Sequence, residues 1–390
     1  MRVLKTTLMI GAGLILLALG LLSIVPAVLE KQMNTVIPHA PYTVSEEALK
    51  LHGSLIIADL HSDSTLWKRN LLERGDRGHV DIPRMREGNA TLQMFTSVTR
   101  SPRGQNYEQN SSDALDNITL LAIAQGWPIS TWNSLTARAL YQAEKLKSLE
   151  ITAPQEFQMV YSASDLKRLL ERRTNSEQVV GGILGTEGSH ALDGKLENID
   201  TLFNAGFRMM SLQHFFDNKL GGSLHGESGK GLTPFGEQAV DRMLELGVIL
   251  DVSHSSPAVV LDVINRTDKP LLVSHTGFQG HCNSPRNISD ELMIAIAADG
   301  GLIGVGYWDA AVCDASPKTI VAAIEYGIDL VGEDHVALGS DFDGSVAAPF
   351  DISELAALTD EMLQAGFTER QIRKVMGLNI IRFMAKNLPQ

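Results

Sequence analysis

The sequence predicts an α/β fold, a TIM-like (β/α)8 barrel that follows an N-terminal transmembrane helix. Two observations predict the barrel: eight short apolar runs have the length of β-strands, and helix-like stretches separate most of them. This alternation is typical of a parallel sheet, and eight such units can close a barrel whose active site lies at the C-terminal ends of its strands. The predicted strands are 55–60, 90–98, 179–185, 207–213, 248–253, 271–274, 301–306 and 335–340.

The transmembrane helix is predicted from an uncharged apolar stretch of 22 residues, LMIGAGLILLALGLLSIVPAVL. As a helix it would span about 33 Å, enough to cross the hydrocarbon core of a bilayer. Arg2 and Lys5 precede it, and such positive residues tend to stay in the cytoplasm. A cleaved signal peptide, whose apolar core is normally shorter, and a buried soluble helix, which would need a polar face, are the alternatives. We therefore expect a short cytoplasmic end, a spanning anchor, a linker and a barrel domain outside the cytoplasm, at 1–7, 8–29, 30–43 and 44–390.

The other elements follow from composition, turn signals and capping signals. A helix is predicted at 44–52, before the first strand, and a long, mostly helical insertion at 112–149, with an interruption at Pro128. The glycine-rich segment 216–233 is long for a connection, so we expect it to form a rim or lid over the site. Further helices, two of which begin with proline at the favoured first position, are predicted at 234–246, 257–265, 289–298, 354–365 and 368–386.

Composition excludes several classes of function. A net charge of −13, without a long basic run, argues against nucleic-acid binding. The two cysteines, Cys282 and Cys313, are too few for a disulfide scaffold or a cysteine-based zinc site, and the sequence alone leaves open whether they pair. Any metal must therefore be held by His, Asp and Glu side chains, which suit zinc and also manganese or cobalt.

Residues that bind metals follow most of the predicted strands. His61 and Asp63 form an H-x-D pair after the first strand, and residues two apart on an extended chain face the same way. His254 and His275 end consecutive strands within similar local sequences, which favours metal ligation over two core histidines. Glu187 follows the third strand, where a buried carboxylate needs either a metal or an arginine as its partner.

Three further residues complete the predicted site. Asp341 follows the eighth strand, which closes against the first, so it would lie beside the H-x-D pair as a ligand or as the proton shuttle for a metal-bound water. His214 follows the fourth strand. Arg286 lies in the loop after the sixth strand, where it would hold a substrate carboxylate or pair with Asp290. Imidazoles and carboxylates gathered at one rim of a barrel are typical of a metal-dependent hydrolase.

Segments spread from about residue 55 to residue 388 resemble the membrane dipeptidase (renal dipeptidase) family of zinc metallopeptidases, in a bacterial-type member. They are DLHSD, GHVDIPRMREGNATLQMF, GTEGSH, SLQHFFDN, GLTPFG, LDVSHSS, VSHTGFQGHCNSPRN and GSDFDG. The resemblance implies a TIM-like barrel with two zinc ions. His61 and Asp63 would hold one ion, His254 and His275 the other, and Glu187 would bridge them.

The resemblance also implies roles for the remaining residues. His214 would hydrogen-bond the reacting carbonyl and stabilise the oxyanion, Arg286 would bind the C-terminal carboxylate of the substrate, and Asp341 would position the water and protonate the leaving amine. The implied function is zinc-dependent hydrolysis of dipeptides by a metal-bridging hydroxide, with D-residues accepted at the C-terminal position, and the implied assembly is a homodimer.

Two other functions are weighed against this one. An amidohydrolase or deacylase of N-acyl amino acids would use the same binuclear scaffold with a pocket for an acyl chain. A non-catalytic binding protein is disfavoured, because all of the family's key positions are filled. The chain differs from mammalian members in its N-terminal apolar segment and in lacking most of their cysteines, so the resemblance implies a bacterial inner-membrane protein with its catalytic domain on the periplasmic side.

Overall fold

The structure, a computed structural model, describes residues 24–175 and 177–390. Most of the predicted anchor at 8–29 and all of the predicted cytoplasmic end at 1–7 lie outside these ranges. Among the described residues, no helix has the length and apolarity needed to span a bilayer. In chain order the strands are β1 (Thr35–Val36), β2 (Ile57–Ser62), β3 (Ala90–Val98), β4 (Phe157–Met159), β5 (Val180–Glu187), β6 (Phe207–Ser211), β7 (Ile249–Asp251), β8 (Leu272–Thr276), β9 (Leu302–Val305), β10 (Val336–Leu338) and β11 (Ala347–Ala348).

Eight of these strands form a nearly closed parallel barrel. Their order is β10–β9–β8–β7–β6–β5–β3–β2, and every neighbouring pair is parallel. The two ends of this order meet where Ser62 forms a parallel bridge with Phe342 and the backbone N–H of Asp63 donates to the carbonyl of Phe342 at 2.9 Å. Each predicted strand overlaps one barrel strand, so the predicted α/β barrel is confirmed.

Three short strands lie outside the barrel order and are absent from the prediction. β4 adds to β5 in parallel, and β1 pairs with β11 in a separate two-stranded sheet. Strands of two or three residues are too short to show a recognisable alternation of apolar and polar side chains.

Helices follow most of the barrel strands. Most of them begin at a Ser, Thr or Asp whose side chain accepts a backbone N–H of the first turn. The α-helices are α1 (Glu46–His52), α2 (Ile82–Glu87), α3 (Asn117–Gln125), α4 (Leu135–Thr152), α5 (Ala163–Thr174), α6 (Glu197–Asn204), α7 (Pro234–Leu246), α8 (Pro257–Ile264), α9 (Asp290–Ala298), α10 (Asp309–Val312), α11 (Pro317–Val331), α12 (Ala356–Gln364), α13 (Glu369–Arg373) and α14 (Asn379–Asn387).

The C-terminal helix predicted at 368–386 is divided into α13, a π-helical turn at Lys374–Leu378 and α14. The turn contains Gly377, where an added Cβ would lie 2.1 Å from the carbonyl oxygen of Ile56. Only glycine therefore allows this close approach to the residue that precedes β2. The interruption lets α14 pack its buried Phe383 and Met384 with barrel residues such as Leu60.

The insertion predicted at 112–149 forms α3 and α4, separated by a 3-10 turn directly after Pro128. α3 packs on the C-terminal rim of the barrel. Its contacts belong to a small apolar cluster apart from the main core, formed by Leu66, Trp67, Val98, Ile118, Ala122 and Trp127. The insertion therefore places an apolar surface beside the predicted site.

Residues 30–43, predicted as a linker, are folded against the same rim. Residues 24–33 form a helix, and its Glu30 is only 1% exposed. The Glu30 carboxylate forms ion pairs with Arg69 and with Arg77, the latter at 2.7 Å. After this helix, β1 joins β11, and the side chain of Asn34 accepts the backbone N–H of Ser345 at 2.8 Å.

Cys282 and Cys313 form a disulfide, with Cα atoms 5.6 Å apart. The bond joins the loop after β8, which carries Arg286, to the residue that ends α10 after β9. The pairing that the sequence left open is thus settled in favour of a bond between two neighbouring active-site loops.

Candidate active site

The barrel brings the predicted metal ligands together at the C-terminal ends of its strands. His61 lies in β2, Glu187 ends β5, His275 lies in β8, and His254 follows β7. Their ligand atoms form overlapping groups within 4.8 Å of one another: His61, Asp63 and Glu187; Glu187, His254 and His275; and His61, His275 and Asp341.

Glu187 is at the centre of these groups. Its Oε1 lies 3.5 Å from Nε2 of His61, 3.2 Å from Nε2 of His254 and 3.3 Å from Nε2 of His275. Two ligand atoms that bind one tetrahedral zinc ion at about 2.0–2.1 Å lie about 3.3 Å apart. The carboxylate therefore has the position of a ligand that ions held by His61, His254 and His275 could share.

The unsatisfied polar atoms of this cluster also fit a cation. The Nε2 atoms of His254 and His275 face each other at 3.0 Å, and Nε2 of His61 is buried without a hydrogen-bond partner. Buried polar atoms without partners are costly, and a divalent cation would satisfy these lone pairs together with the nearby carboxylates. The donor set of imidazole nitrogens and carboxylate oxygens suits zinc.

Ser274 orients two of the imidazoles, a role that sequence reasoning missed. Its Oγ lies 3.0 Å from Nδ1 of His61 and 3.0 Å from Nδ1 of His275, and it donates to Asp251 at 2.7 Å. Because its single hydrogen goes to Asp251, the Ser274 oxygen faces both Nδ1 atoms as an acceptor; the Ser253 hydroxyl also lies 3.0 Å from it. Both Nδ1 atoms therefore carry protons, and both Nε2 atoms present lone pairs towards Glu187.

Burial sets the protonation of most of the cluster, although for His61 the carboxylates of Asp63 and Asp341 outweigh burial and raise the pKa. It lowers the pKa of His254 and of His275 well below the usual value, which keeps the imidazoles in the neutral form that binds metals. Burial, reinforced by the negative charges of Asp63 and Asp341, raises the pKa of Glu187 well above its usual value. Burial also raises the pKa of Asp341, to about 8. Binding of cations among these groups would therefore release protons.

Asp341 lies in a turn that its neighbours hold in an unusual backbone conformation. Asp341, Asp343 and Ser345 all have positive φ, at 59°, 63° and 66°. Residues other than glycine adopt this backbone conformation at a cost in free energy, so contacts with surrounding residues must hold it in place. The buried Asp343 carboxylate does so by accepting the N–H of His79 and the hydroxyl of Ser64, both at 2.6 Å, and by pairing with an arginine, Arg69.

Arg286 is buried beside the cluster without an acidic partner. Its guanidinium donates to the carbonyl of His275 at 2.9 Å and lies over the ring of Trp308, 5.2 Å from the ring centroid. The alternative pairing with Asp290 is wrong, because Asp290 instead accepts the N–H of Gly280 and the hydroxyl of Tyr326. Within residues 24–175 and 177–390 its hydrogen-bond partners are carbonyl and hydroxyl oxygens and Nε2 of His254, 3.5 Å away, so this cation is available to a substrate anion.

His214 faces the second oxygen of the Glu187 carboxylate, Oε2, whereas the other imidazoles face Oε1. Its Nε2 lies 3.4 Å from Oε2 of Glu187, and its Nδ1 lies 3.4 Å from the carbonyl oxygen of Arg100. Burial lowers the pKa of His214 to about 4, so the ring carries a single proton at neutral pH. Since both contacts are long, neither fixes the position of that proton, and it can be placed on Nε2. There it would face the carbonyl group of a molecule bound in the cavity.

One cavity of about 460 Å³, a volume typical of small-molecule sites, is lined by Asp63, Glu187, His214, His254, His275, Arg286 and Asp341. Tyr107 also lines it, and burial raises the pKa of its phenol to about 12. Sequence reasoning missed Tyr107 because it lies well beyond the end of β3, in the connection that leads to α3. The loop 216–233, expected as a rim or lid, does not line the cavity; the Asp217 carboxylate folds this loop onto itself by accepting the N–H groups of Ser223 and Ser228.

Residues 45–388 match the sequence model of the family described as membrane dipeptidase, peptidase family M19. The chain belongs to the membrane dipeptidase family. Membership identifies it as a metallodipeptidase, a hydrolase that acts on dipeptides, and confirms the family resemblance found in the sequence. Among curated relatives, a Klebsiella pneumoniae protein described as an uncharacterized protein in the pqqA 5′ region is 29% identical over 261 residues, which cover 63% of this chain and 94% of that protein.

Solved structures of metallopeptidases share the fold of this dipeptidase. The dipeptidase AC, a metallo peptidase of family M19, is 23% identical with a TM-score of 0.69, over 86% of this chain and 100% of that one. A metallo peptidase from Rhodobacter sphaeroides, liganded with a phosphinate mimic of the dipeptide L-Ala-D-Ala, is 22% identical with a TM-score of 0.68, over 86% and 99%. The probable dipeptidase PvdM from Pseudomonas aeruginosa is 20% identical with a TM-score of 0.72, over 88% and 98%.

Proposed function

We propose that this metallodipeptidase holds two zinc ions and hydrolyses dipeptides that have a free C-terminal carboxylate. In this proposal His61 and Asp63 bind one ion, and His254 and His275 bind the other. The observation that carries it is the central position of Glu187, whose Oε1 lies 3.2 Å from Nε2 of His254 and 3.5 Å from Nε2 of His61. A carboxylate that reaches imidazoles from several strands is suited to serve as a shared ligand.

The ions, when bound, would supply a hydroxide nucleophile near neutral pH by lowering the pKa of a shared water. Arg286 binds the C-terminal carboxylate through its planar, forked guanidinium, which places the scissile bond beside the ligand cluster. His214 donates a hydrogen bond to the oxygen of the reacting carbonyl and stabilises the negative charge that develops there. Asp341 accepts a proton from the attacking water and transfers it to the leaving amine.

The stereochemistry of the substrate is part of the proposal. The Rhodobacter sphaeroides neighbour is liganded with a mimic of a dipeptide whose C-terminal residue is D-alanine. We infer that this enzyme likewise accepts a D-residue on the C-terminal side of the scissile bond, because Arg286 recognises a carboxylate whatever the chirality of the adjacent carbon.

The proposed location is the outer side of the bacterial inner membrane, with the chain anchored by the part of the apolar segment 8–29 that precedes the helix at 24–33. Arg2 and Lys5 before that segment favour a cytoplasmic N-terminus, and the Cys282–Cys313 disulfide is typical of an oxidising compartment. Protease treatment of spheroplasts checks this: digestion of the barrel domain in intact spheroplasts supports the location, and full protection contradicts it. The homodimer stays a prediction, and sedimentation of the purified chain would measure its mass.

The function is tested by assaying the full-length chain on L-Xaa-L-Xaa and L-Xaa-D-Xaa dipeptides, with and without a chelator. We expect cleavage that the chelator abolishes and zinc restores. The matched variant Asp341→Asn is expected to retain two bound zinc ions and lose most turnover, since it keeps the shape of the side chain but not its basicity. Dipeptides left intact by protein that carries two zinc ions would refute the proposal.

A further inference from the structure

The active-site cavity extends from the metal ligands to an apolar wall made by two segments. The helix at 24–33 contributes Val25, Leu29 and Met33 to the lining, and α3 contributes Leu120 and Leu121 among others. Leu66 and Val98, at the ends of barrel elements, complete the wall.

Charge is confined to the metal end of this cavity. The charged residues that line it are Asp63, Glu187, Arg286 and Asp341, all within the predicted site. The rest of the described lining consists of apolar side chains and of uncharged polar groups such as Gln105. Beyond the metal centre, the described lining therefore offers no charged group for an ionised part of a substrate, and it favours groups that gain free energy by leaving water.

The wall is fixed in place by buried interactions on both of its sides. The helix at 24–33 is held through Glu30, which pairs with Arg69 and Arg77. α3 is held through the buried side chains of Ile118 and Ala122 in the small apolar cluster. A preformed wall loses little conformational entropy when a ligand binds, so its apolar surface contributes directly to affinity.

The direction of the substrate decides which part of it meets this wall. Arg286 takes the C-terminal carboxylate and the ligand cluster takes the scissile carbonyl. The group on the N-terminal side of the scissile bond must therefore occupy the remainder of the cavity. We propose that the apolar wall is the subsite for this group, and that the enzyme prefers substrates in which it is large and apolar; this rests on the proposed dipeptidase function.

Two chemical sources can supply such a group, and the test distinguishes them. One is the side chain of a bulky apolar N-terminal residue, as in L-Phe-L-Ala. The other is an acyl chain on the nitrogen of a single amino acid, as in N-octanoyl-L-alanine. Rates for these two compounds are compared with the rate for L-Ala-L-Ala, whose N-terminal side chain is one methyl group.

The variants are chosen as matched pairs on the same two helices. Leu29→Ser and Leu120→Ser change side chains that line the cavity and are 39% and 68% exposed, so folding does not depend on them. Val28→Ser and Ile123→Ser change neighbours that are 47% and 37% exposed and do not line the cavity. Each control removes an exposed apolar side chain from the same helix as its partner variant.

We expect kcat/KM for L-Phe-L-Ala or N-octanoyl-L-alanine to exceed that for L-Ala-L-Ala, and to fall about 10-fold in Leu29→Ser and Leu120→Ser. The two control variants should match the unmodified chain for every substrate, and L-Ala-L-Ala should lose less of its rate than the larger substrates in the two lining variants. If kcat/KM for the octanoyl compound falls in the lining variants, the wall binds acyl chains. If kcat/KM falls for the phenylalanyl dipeptide alone, the wall binds side chains.

A binding measurement separates failure of this inference from failure of the proposed function. Two phosphinate dipeptide mimics, with a methyl or a benzyl group on the N-terminal side, are titrated into the zinc-loaded chain by calorimetry. Tighter binding of the benzyl mimic, lost in Leu120→Ser, supports the subsite. Equal binding of the two mimics, with L-Ala-L-Ala still hydrolysed, overturns the inference only, whereas absence of both binding and hydrolysis refutes the dipeptidase proposal itself.

Discussion

Replacing Ser274 by alanine removes one hydroxyl that supports two of the proposed metal ligands. The Ser274 Oγ lies 3.0 Å from Nδ1 of both His61 and His275. Its loss leaves two buried N–H groups without an acceptor, and each costs about 1–3 kcal/mol. Loss of an outer hydrogen-bond partner typically lowers metal affinity about 10- to 100-fold, equivalent to about 1.4–2.8 kcal/mol.

Because His61 and His275 are assigned to different ions, Ser274→Ala should weaken both sites at once. Ser253→Ala is the matched control, since its hydroxyl contacts Asp251 at 2.6 Å and the Ser274 hydroxyl at 3.0 Å in the same network but touches no imidazole nitrogen. Zinc affinity is measured by competition with a chromophoric chelator, and circular dichroism checks that both variants are folded. Unchanged zinc affinity in Ser274→Ala, or an equal loss in Ser253→Ala, would refute the assigned hydrogen bonding.

Three further outcomes follow from the geometry. Arg286→Lys keeps the charge but loses the fork, so KM for dipeptides should rise about 10-fold or more with a smaller change in kcat; an unchanged KM would remove the carboxylate-binding role. Burial opposes the charged form of Asp343, but Arg69 and His79 outweigh it and hold the pKa low. The stabilisation is therefore complete above about pH 4 and is lost as pH falls through the folded pKa. Asp343→Asn should lower the free energy of unfolding at pH 7 by about 3–5 kcal/mol and weaken the dependence of that free energy on pH in acid. Urea titrations at several pH values measure both effects. The double substitution of Cys282 and Cys313 by serine opens a loop with a sequence separation of 31 and should cost about 3–4 kcal/mol in the same titrations; a loss below 1 kcal/mol would contradict this.

The barrel and its ligands could be predicted because their signals are local and strong. Apolar runs of strand length mark the barrel, and parallel strands bring their C-terminal ends to one rim, so residues such as His61 and Asp341 can be placed together without knowledge of packing. The same reasoning could not choose between the two partners considered for Arg286. That choice depends on the partners of Asp290 in the folded chain: its carboxylate accepts the N–H of Gly280, in the loop after β8, and the hydroxyl of Tyr326.

The features that sequence reasoning missed depend on contacts between distant segments. The apolar wall is assembled from the helix at 24–33 and from α3, neither of which carries a strand-end signal. The role of Ser274 depends on which imidazole nitrogens bear protons, and only the hydrogen-bond geometry defines this. The folding of 30–43 onto the barrel depends on Glu30, whose partners Arg69 and Arg77 lie beyond β2.

Glu30 has a practical consequence for anyone who prepares a soluble form of this enzyme. A fragment that begins at residue 32 removes the apolar segment but also deletes the acid that neutralises Arg69 and Arg77. Arg69 also pairs with Asp343, two residues from Asp341, so the deletion reaches the support of the turn that carries the proposed proton shuttle. Low activity of such a fragment would report damage caused by the truncation, and a soluble version should keep the chain from residue 24 onward.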